Sequence, residues 1–265
     1  MKVVIITGAS QGIGYELSGF LANKGMKVYG IARSDFSISN VVSLKGDVTN
    51  EEEISSLINH VYEIEGKIDY LINNAGMGIS GSVEASSTFD VRRIFEVNFI
   101  GTFLTTKYTL PLMRANGCGK IINVGSVASE FSIPFQTFYS SSKAAVKTFS
   151  EGLANEVSPY GIGVSAILPG DIKTNFTKNR RKNENEINVY EKRVEKSIGV
   201  MEKDEQNGMS TLYASKVIYK TMLRKKMPLV KVIGNKYKVM IFLKRLLPVK
   251  LVNKIVGSLY AFKKE

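Results

Sequence analysis

Tyr139 and Lys143 lie four residues apart in Tyr139-Ser140-Ser141-Ser142-Lys143, at the head of a stretch that reads as a helix. Residues i and i+4 share a helical face, so the ammonium of Lys143 is placed to reach the phenol of Tyr139. A free phenol has a pKa of about 10, and an opposite charge close by lowers an acid's pKa by roughly 1–3 units. Such a pair trades protons near neutrality. Thirteen residues upstream of Tyr139, Ser126 follows the apolar run Lys120-Ile121-Ile122-Asn123-Val124, which reads as a buried strand. A hydroxyl at a strand's carboxyl end and a Tyr/Lys pair on the next helix can converge on one carbonyl oxygen. A Tyr and a Lys four apart are also common on helix surfaces, so the elements that carry them have to decide.

The elements form a consistent series. Val3 to Thr7 is a short β-branched run, followed by Gly8-Ala9-Ser10-Gln11-Gly12-Ile13-Gly14 and a helical pattern ending near Gly25. A strand, a glycine-rich turn and a helix amino terminus let backbone N–H groups approach a pyrophosphate. Met26 to Ala32 is the second strand, and Arg33-Ser34 follows it where an acidic residue would instead accept from an adenosine ribose and repel a 2′-phosphate. The cation and hydroxyl favour NADP over NAD; the alternative is an ordinary surface Arg. Only the polar connection 35–40 separates this strand from Val41-Val42-Ser43-Leu44, too short for a crossover helix. Gly46-Asp47-Val48-Thr49 leads into a helix capped by Thr49 or Asn50, with Glu51, Glu52 and Glu53 in its first turn.

Further strands are predicted over Ile68–Ile72, Lys120–Val124 and Gly163–Leu168, and helices over Glu84–Asn98, Gly101–Asn116 and from Tyr139 to about Ser158. Strands apolar throughout, alternating with helices, imply an α/β fold with a doubly wound parallel sheet covered on both faces. Ligands in such sheets bind beyond the carboxyl ends of the strands. Gly8, Arg33, Asp47, Gly76, Ser126 and Gly170 all fall at those ends.

Composition narrows the classes. In 265 residues with 44% hydrophobic content there is ample material for a core. One Cys and one His exclude a disulfide framework and a zinc site, and His60 reads as a solvated helix residue. The amino-terminal residues enter a strand without a signal-peptide pattern, and no run reaches the roughly 18 apolar residues of a membrane span, so a cytoplasmic location is expected. The net charge of +12 is concentrated: residues 216–265 carry 14 Lys/Arg against Glu265 alone, which leaves the preceding body at −1. A neutral body argues against nucleic-acid binding.

At this point the chain, from about Lys2 to Met227, resembles the short-chain dehydrogenase/reductase family. Thr7-Gly8-x-x-x-Gly12-x-Gly14 matches the family's cofactor loop, Asn73-Asn74-Ala75-Gly76 its sheet-stabilising motif, and Pro169-Gly170 with Thr174 its nicotinamide-holding segment. Asn98, Ser126, Tyr139 and Lys143 match its catalytic tetrad. The resemblance implies a Rossmann-like fold in which Tyr139 is the acid/base and Lys143 binds the nicotinamide ribose and lowers the pKa of Tyr139. Ser126 would bond the substrate oxygen, and Asn98 would hold a relay water. It also implies an NADP(H) site, with NAD(H) as the other form, formed by Gly8, Ser10, Gln11, Gly12, Ile13, Gly14, Arg33, Ser34, Asp47, Val48, Asn74, Ala75, Gly76, Tyr139, Lys143, Pro169, Gly170, Ile172 and Thr174. Met77, Ser126, Gln136 and Tyr139 would meet the substrate, a hydrophobic ketone or alcohol, steroid- or lipid-like.

Three departures stand out. Gln11 occupies a place where NADP-dependent members often carry a basic residue, Gly125 precedes the Ser, and the helix between the second and third strands is missing, as in the subgroup resembling 17β-hydroxysteroid dehydrogenases. The domain organisation expected is a catalytic domain over 1–234, with 171–209 as a substrate lid, and a basic amphipathic helical extension over 235–265. Two helical segments are expected there, Lys236–Leu247 and Val249–Phe262, parted by Pro248. Two readings of this extension stand side by side. In one, Leu246, Leu251, Ile255 and Leu259 fold back over the cleft or a partner subunit; in the other, the helices lie in a membrane interface. The family resemblance implies a homodimer or homotetramer. A non-catalytic NADP(H) sensor is the functional alternative, against which both Tyr139 and Lys143 count, since such relatives typically lose one of them.

Overall fold

Five β-branched residues in a row, Val3–Thr7, form β1 near the middle of the sheet. Branching at Cβ suits the pleated surface, and successive side chains point to opposite faces. Val3 and Ile5 therefore enter one core, and Val4 and Ile6 the other. A strand buried on both sides requires a helical layer on each.

The computed structural model describes residues 1–176, 178–183 and 186–260. After β1 come α1 (Gly12–Ala22), β2 (Lys27–Ala32), β3 (Val41–Lys45), α2 (Glu51–Glu65), β4 (Tyr70–Asn73), β5 (Ile79–Ser80), α3 (Thr88–Phe95) and α4 (Gly101–Ala115). Then follow β6 (Gly119–Val124), α5 (Thr137–Val157), β7 (Ile162–Pro169), β8 (Arg181–Lys182), α6 (Asn188–Gln206), α7 (Thr211–Met222), β9 (Val230–Ile233), α8 (Asn235–Leu246) and α9 (Val249–Tyr260). Seven strands make one parallel sheet in the order β3-β2-β1-β4-β6-β7-β9. Ile54, Ile58 and Val61 of α2, Leu104 and Met113 of α4, and Leu153 and Val157 of α5 cover one face. Leu17 and Leu21 of α1 and Ala214, Ile218 and Met222 of α7 cover the other.

The parallel neighbours β2 and β3 are joined by 33–40 without a helix, as the sequence predicts. Two apolar side chains of this connection take the place of one. Phe36 sits where a Cβ on Gly30 would come within 2.8 Å of its ring, and Ile38 lies where a Cβ on Gly19 would be 3.3 Å away. Asn50, of the two caps considered, is the one used: its side chain accepts from the Glu53 N–H at 3.1 Å.

Other expectations need correction. The helix anticipated from Glu84 begins at Thr88, because the Ser87 hydroxyl caps it by accepting from the Asp90 N–H at 3.1 Å. The division anticipated near Asn98–Gly101 is a change of pitch and not a break: Glu96–Ile100 is a π-helical turn that joins α3 to α4. Inside 171–209 lies the 19-residue helix α6, and α7 follows it; the sequence reading placed neither. In α6 the apolar residues are sparse and flanked by charge, so the helical period is weak there.

The extension rests on the body, but by faces other than those named in the fold-back reading. On α8, Ile241 is buried, the Tyr237 phenol donates to the Asp171 carboxylate, and Lys244 pairs with Glu130 at 3.0 Å. On α9, which packs on α6, Val256 is buried and Tyr260 joins Val194, Ile198 and Met201. Leu246, Leu251, Ile255 and Leu259, which the first of the two readings folds back, are exposed. The inward stripe of α9 is offset by one residue, about 100° around the helix. Phe262 lies outside the described residues.

Candidate active site

The strand order reverses between β1 and β4, and a crevice opens at the carboxyl ends of the strands at such a point. Here two loops are tied across it. Thr7 Oγ1 accepts from the N–H groups of Asn74 and Ala75, both at 3.0 Å, while Asn74 Nδ2 donates to the carbonyls of Thr7 at 3.0 Å and Gly8 at 3.2 Å. Gly8 takes φ +67°, which glycine adopts freely. A Cβ on Gly14 would overlap the Gly8 carbonyl oxygen, so the turn closes this tightly only with glycine at both places.

The crevice is a cavity of about 640 Å³. On the β1–β2 side its walls are Gly8, Ser10, Gln11, Gly12, Ile13, Arg33, Ser34, Asp47 and Val48; then come Asn74, Ala75, Gly76, Pro169, Gly170, Ile172 and Thr174. On the β6–β7 side are Ser126, Gln136, Tyr139 and Lys143. Three expected residues do not line it. Gly14 lies beneath the loop it permits. Asn98, 1% exposed, lies behind Gly76, where a Cβ would stand 3.2 Å from Asn98 Oδ1 and 3.3 Å from Lys143 Nζ. Met77 packs its side chain into the core, and its backbone is held at both ends by Asn98: Oδ1 accepts from the Met77 N–H at 2.7 Å, and Nδ2 donates to the Met77 carbonyl at 3.0 Å. Met77 is therefore removed from the substrate contacts.

Asn98 Nδ2 also donates to Ser142 Oγ at 2.9 Å, which links the π-helical turn to α5 between Tyr139 and Lys143. Lys143 is buried, and its Nζ donates to the Val124 carbonyl at 2.9 Å. Burial alone lowers its pKa to about 8. The Tyr139 phenol is pushed up to about 12, chiefly by desolvation, with the Ser126 hydroxyl opposing that rise. The expected lowering of Tyr139 by Lys143 is absent from this arrangement. Nζ stands 6.0 Å from the Tyr139 ring centroid and is turned to a carbonyl, so removal from water prevails.

At the Tyr139 end the wall has an apolar part. Val127, Ala128, Ile133, Phe176, Met201 and Tyr260 line it, with the Phe176 ring 5.7 Å from that of Tyr139. Asp171, Asp204 and Glu205 lie there too. Asp171 accepts from Tyr237, Asp204 from Tyr260, and Glu205 is ion-paired with the buried Arg180. Burial raises the Asp171 pKa, and the Tyr237 phenol opposes it. Sequence reasoning missed that Tyr260 reaches the cleft from the extension and that Tyr237 holds Asp171 at its wall. The signal available was only their place within the wide apolar arc of each amphipathic segment.

A family model described as short chain dehydrogenase matches residues 2–185. The chain belongs to the short-chain dehydrogenase/reductase family. It is 38% identical over 230 residues to the 3-ketodihydrosphingosine reductase of Bacteroides thetaiotaomicron, covering 86% of each chain. Among solved structures, a short-chain dehydrogenase from Streptomyces avermitilis is 28% identical with a TM-score of 0.81, over 97% of this chain and 96% of that one. The structure of ElxO with NADP bound is 27% identical with a TM-score of 0.74, over 90% of this chain and 99% of that one. As a member of the family, the chain is an oxidoreductase acting on keto and hydroxyl groups. The residues present fit a nicotinamide dinucleotide: the loop at Gly8 to Gly14 leaves out the side chains that would fill it, and the cleft continues from there to Tyr139.

Proposed function

We propose that this enzyme is an NADP(H)-dependent reductase of hydrophobic, lipid-like ketones, working in the cytoplasm. The observation that carries the reading is one continuous cleft. It has Arg33 and Ser34 beside the glycine loop on one side, and Ser126, Tyr139 and Lys143 beside an apolar wall on the other. The relative from B. thetaiotaomicron carries a keto lipid in its name and agrees with that wall.

The roles follow from position and protonation. Arg33 and Ser34 would bind a 2′-phosphate, Asp47 and Val48 would border the adenine, and Asn74 to Gly76 would flank the remainder, with Pro169, Gly170, Ile172 and Thr174 opposite. When bound, the cofactor supplies the hydride for the carbonyl carbon. Ser126 Oγ orients the carbonyl oxygen. Tyr139, whose raised pKa keeps it protonated at neutral pH, donates its proton to that oxygen. Lys143 holds the ribose and, with Asn98, returns a proton to Tyr139. Gln136, buried at the start of α5, bounds the substrate. A homodimer or homotetramer joined through α4 and α5 belongs to the same reading, and light scattering tests it.

The cofactor assignment predicts that Arg33→Ala weakens NADPH about 10- to 100-fold, the loss of one charge-assisted contact of roughly 1.5–3 kcal/mol, and leaves NADH nearly unchanged. Titration of intrinsic fluorescence or calorimetry measures both; equal losses would remove Arg33 from the phosphate site. The proton assignment predicts a pH dependence. Between about 8 and about 12, Tyr139 keeps its proton while Lys143 has lost its own. The kcat/KM for reduction should be level below pH 8 and fall as pH rises through it. A profile flat up to pH 10 would contradict the role of Lys143.

The reading as a whole is tested by NADPH absorbance over a panel of keto lipids, including 3-ketodihydrosphingosine, with steroids and short soluble ketones beside them. Cofactor binding without turnover on any of them would favour the sensor alternative.

A further inference from the structure

The outer faces of α8 and α9 are apolar and uncovered, which is unusual for contiguous side chains on a water-soluble body. On α8, Val239, Phe242, Leu243 and Leu246 recur at spacings of three and four, so they form one stripe opposite the inward Tyr237, Ile241 and Lys244. On α9, Leu251, Ile255 and Leu259 form a second stripe at i, i+4 and i+8, beside the inward Val252, Val256 and Tyr260. Exposure is high where burial would be expected: 67% for Leu246, 61% for Phe242 and 45% for Ile255.

Charge decides what covers this face. Residues 235–260 contain six Lys/Arg and no Asp or Glu, and Lys236, Lys238, Arg245, Lys250 and Lys254 are exposed around the stripes. A second copy of the same face would bring cations against cations. An apolar stripe edged by lysines fits the boundary between acyl chains and anionic headgroups. Among the described residues no helix is long and apolar enough to cross a membrane, so the contact is with its surface. The inner faces of the same helices reach the cleft, where Tyr260 lines the wall and Tyr237 holds Asp171.

We infer that α8 and α9 form a peripheral docking surface for an anionic lipid bilayer, which brings the mouth of the cleft to the lipid interface. The docking stands on the helices themselves; only its use, access for a bilayer-dissolved ketone, rests on the function proposed above.

The test is co-sedimentation of the full chain with phosphatidylcholine vesicles, with and without about one-third phosphatidylglycerol, at roughly 0.05 and 0.5 M salt. Binding is expected to the anionic vesicles at low salt and to fall at least about ten-fold at high salt. The paired change L246E/I255E, on two exposed side chains, should abolish it while the thermal midpoint and turnover of a short soluble ketone stay unchanged. K250Q/K254Q should weaken binding to anionic vesicles several-fold without those losses. A chain that stays in the supernatant under every condition overturns the inference. So does an L246E/I255E variant that sediments like the parent, or one that converts an oligomer to a monomer without the parent ever binding vesicles. Vesicle binding by a protein that turns over no ketone would uphold docking and refute the proposed reaction, so the two fail separately.

Discussion

Tyr139→Phe is expected to lower kcat for ketone reduction by about 10²–10⁴-fold, the range over which a positioned acid contributes, while cofactor affinity changes little. The asymmetry comes from where the hydroxyl stands. The ring packs against Phe176, and Phe preserves that contact; only the oxygen beside Ser126 disappears. The other titratable groups nearby are engaged elsewhere: Asp171 accepts from Tyr237, and Lys143 faces the Val124 carbonyl. Single-turnover reduction with NADPH in excess, together with calorimetric cofactor binding, measures the two quantities. Retention of a tenth or more of the parent rate on every accepted ketone would take Tyr139 out of the acid role.

The largest stability loss from a residue outside the cleft is expected at Asn73. Its Nδ2 donates to Asn123 Oδ1 at 2.8 Å and to Thr106 Oγ1 at 3.1 Å, and its Oδ1 accepts from Thr105 Oγ1 at 2.6 Å. Asn123 Nδ2 in turn donates to Ser150 Oγ at 2.9 Å. This buried chain ties β4 to β6 and both strands to α4 and α5. The hydroxyls are insured, because Thr105, Thr106 and Ser150 also donate to carbonyls one turn back in their own helices. The two amides have no such fallback. Asn73→Leu should therefore cost about 2–4 kcal/mol, since Asn123 Oδ1 is left buried without a donor. Asn73→Leu with Asn123→Leu should recover part of that loss, because no amide is then stranded. Urea unfolding of the four members of this cycle is the measurement; additive losses would mean that the two amides do not depend on each other.

The sheet and its helical layers were legible because strands buried on both faces are continuous apolar runs, and Val3–Thr7 or Lys120–Val124 cannot be mistaken for amphipathic helix. The positions of Gly8, Ser126 and Tyr139 followed once each was assigned to a strand end or a helix start. The roles given to them remain for experiment. What could not be read was anything set by contact between distant segments. The fate of the Lys143 ammonium depends on the Val124 carbonyl, and Met77 is withdrawn from the cleft by Asn98, 21 residues away. Which stripe of α9 turns inward depends on α6, whose own helical pattern is faint. In α8 and α9 the apolar arc is wider than the face in use, so periodicity alone left both Val256 and Ile255 eligible for burial.

The π-helical turn at Glu96–Ile100 acts as a register shift in an otherwise continuous rod. One added residue rotates everything beyond it by about 100° relative to an unbroken α-helix. Upstream of the shift, Ile94 faces the interior; downstream, Thr102, Thr105, Thr106 and Thr109 do so too, and within it Asn98 is turned to Met77 and Ser142. A chain shortened by one residue here would be a more regular helix and a worse protein. If the threonines kept their seats against the sheet, Asn98 would swing away from α5; if Asn98 kept its place, the threonine row would rotate out of the core. The irregular turn lets one helix satisfy two incompatible phases, so a single-residue deletion between 96 and 100 should be tolerated far less well than a substitution at any exposed position of the same turn.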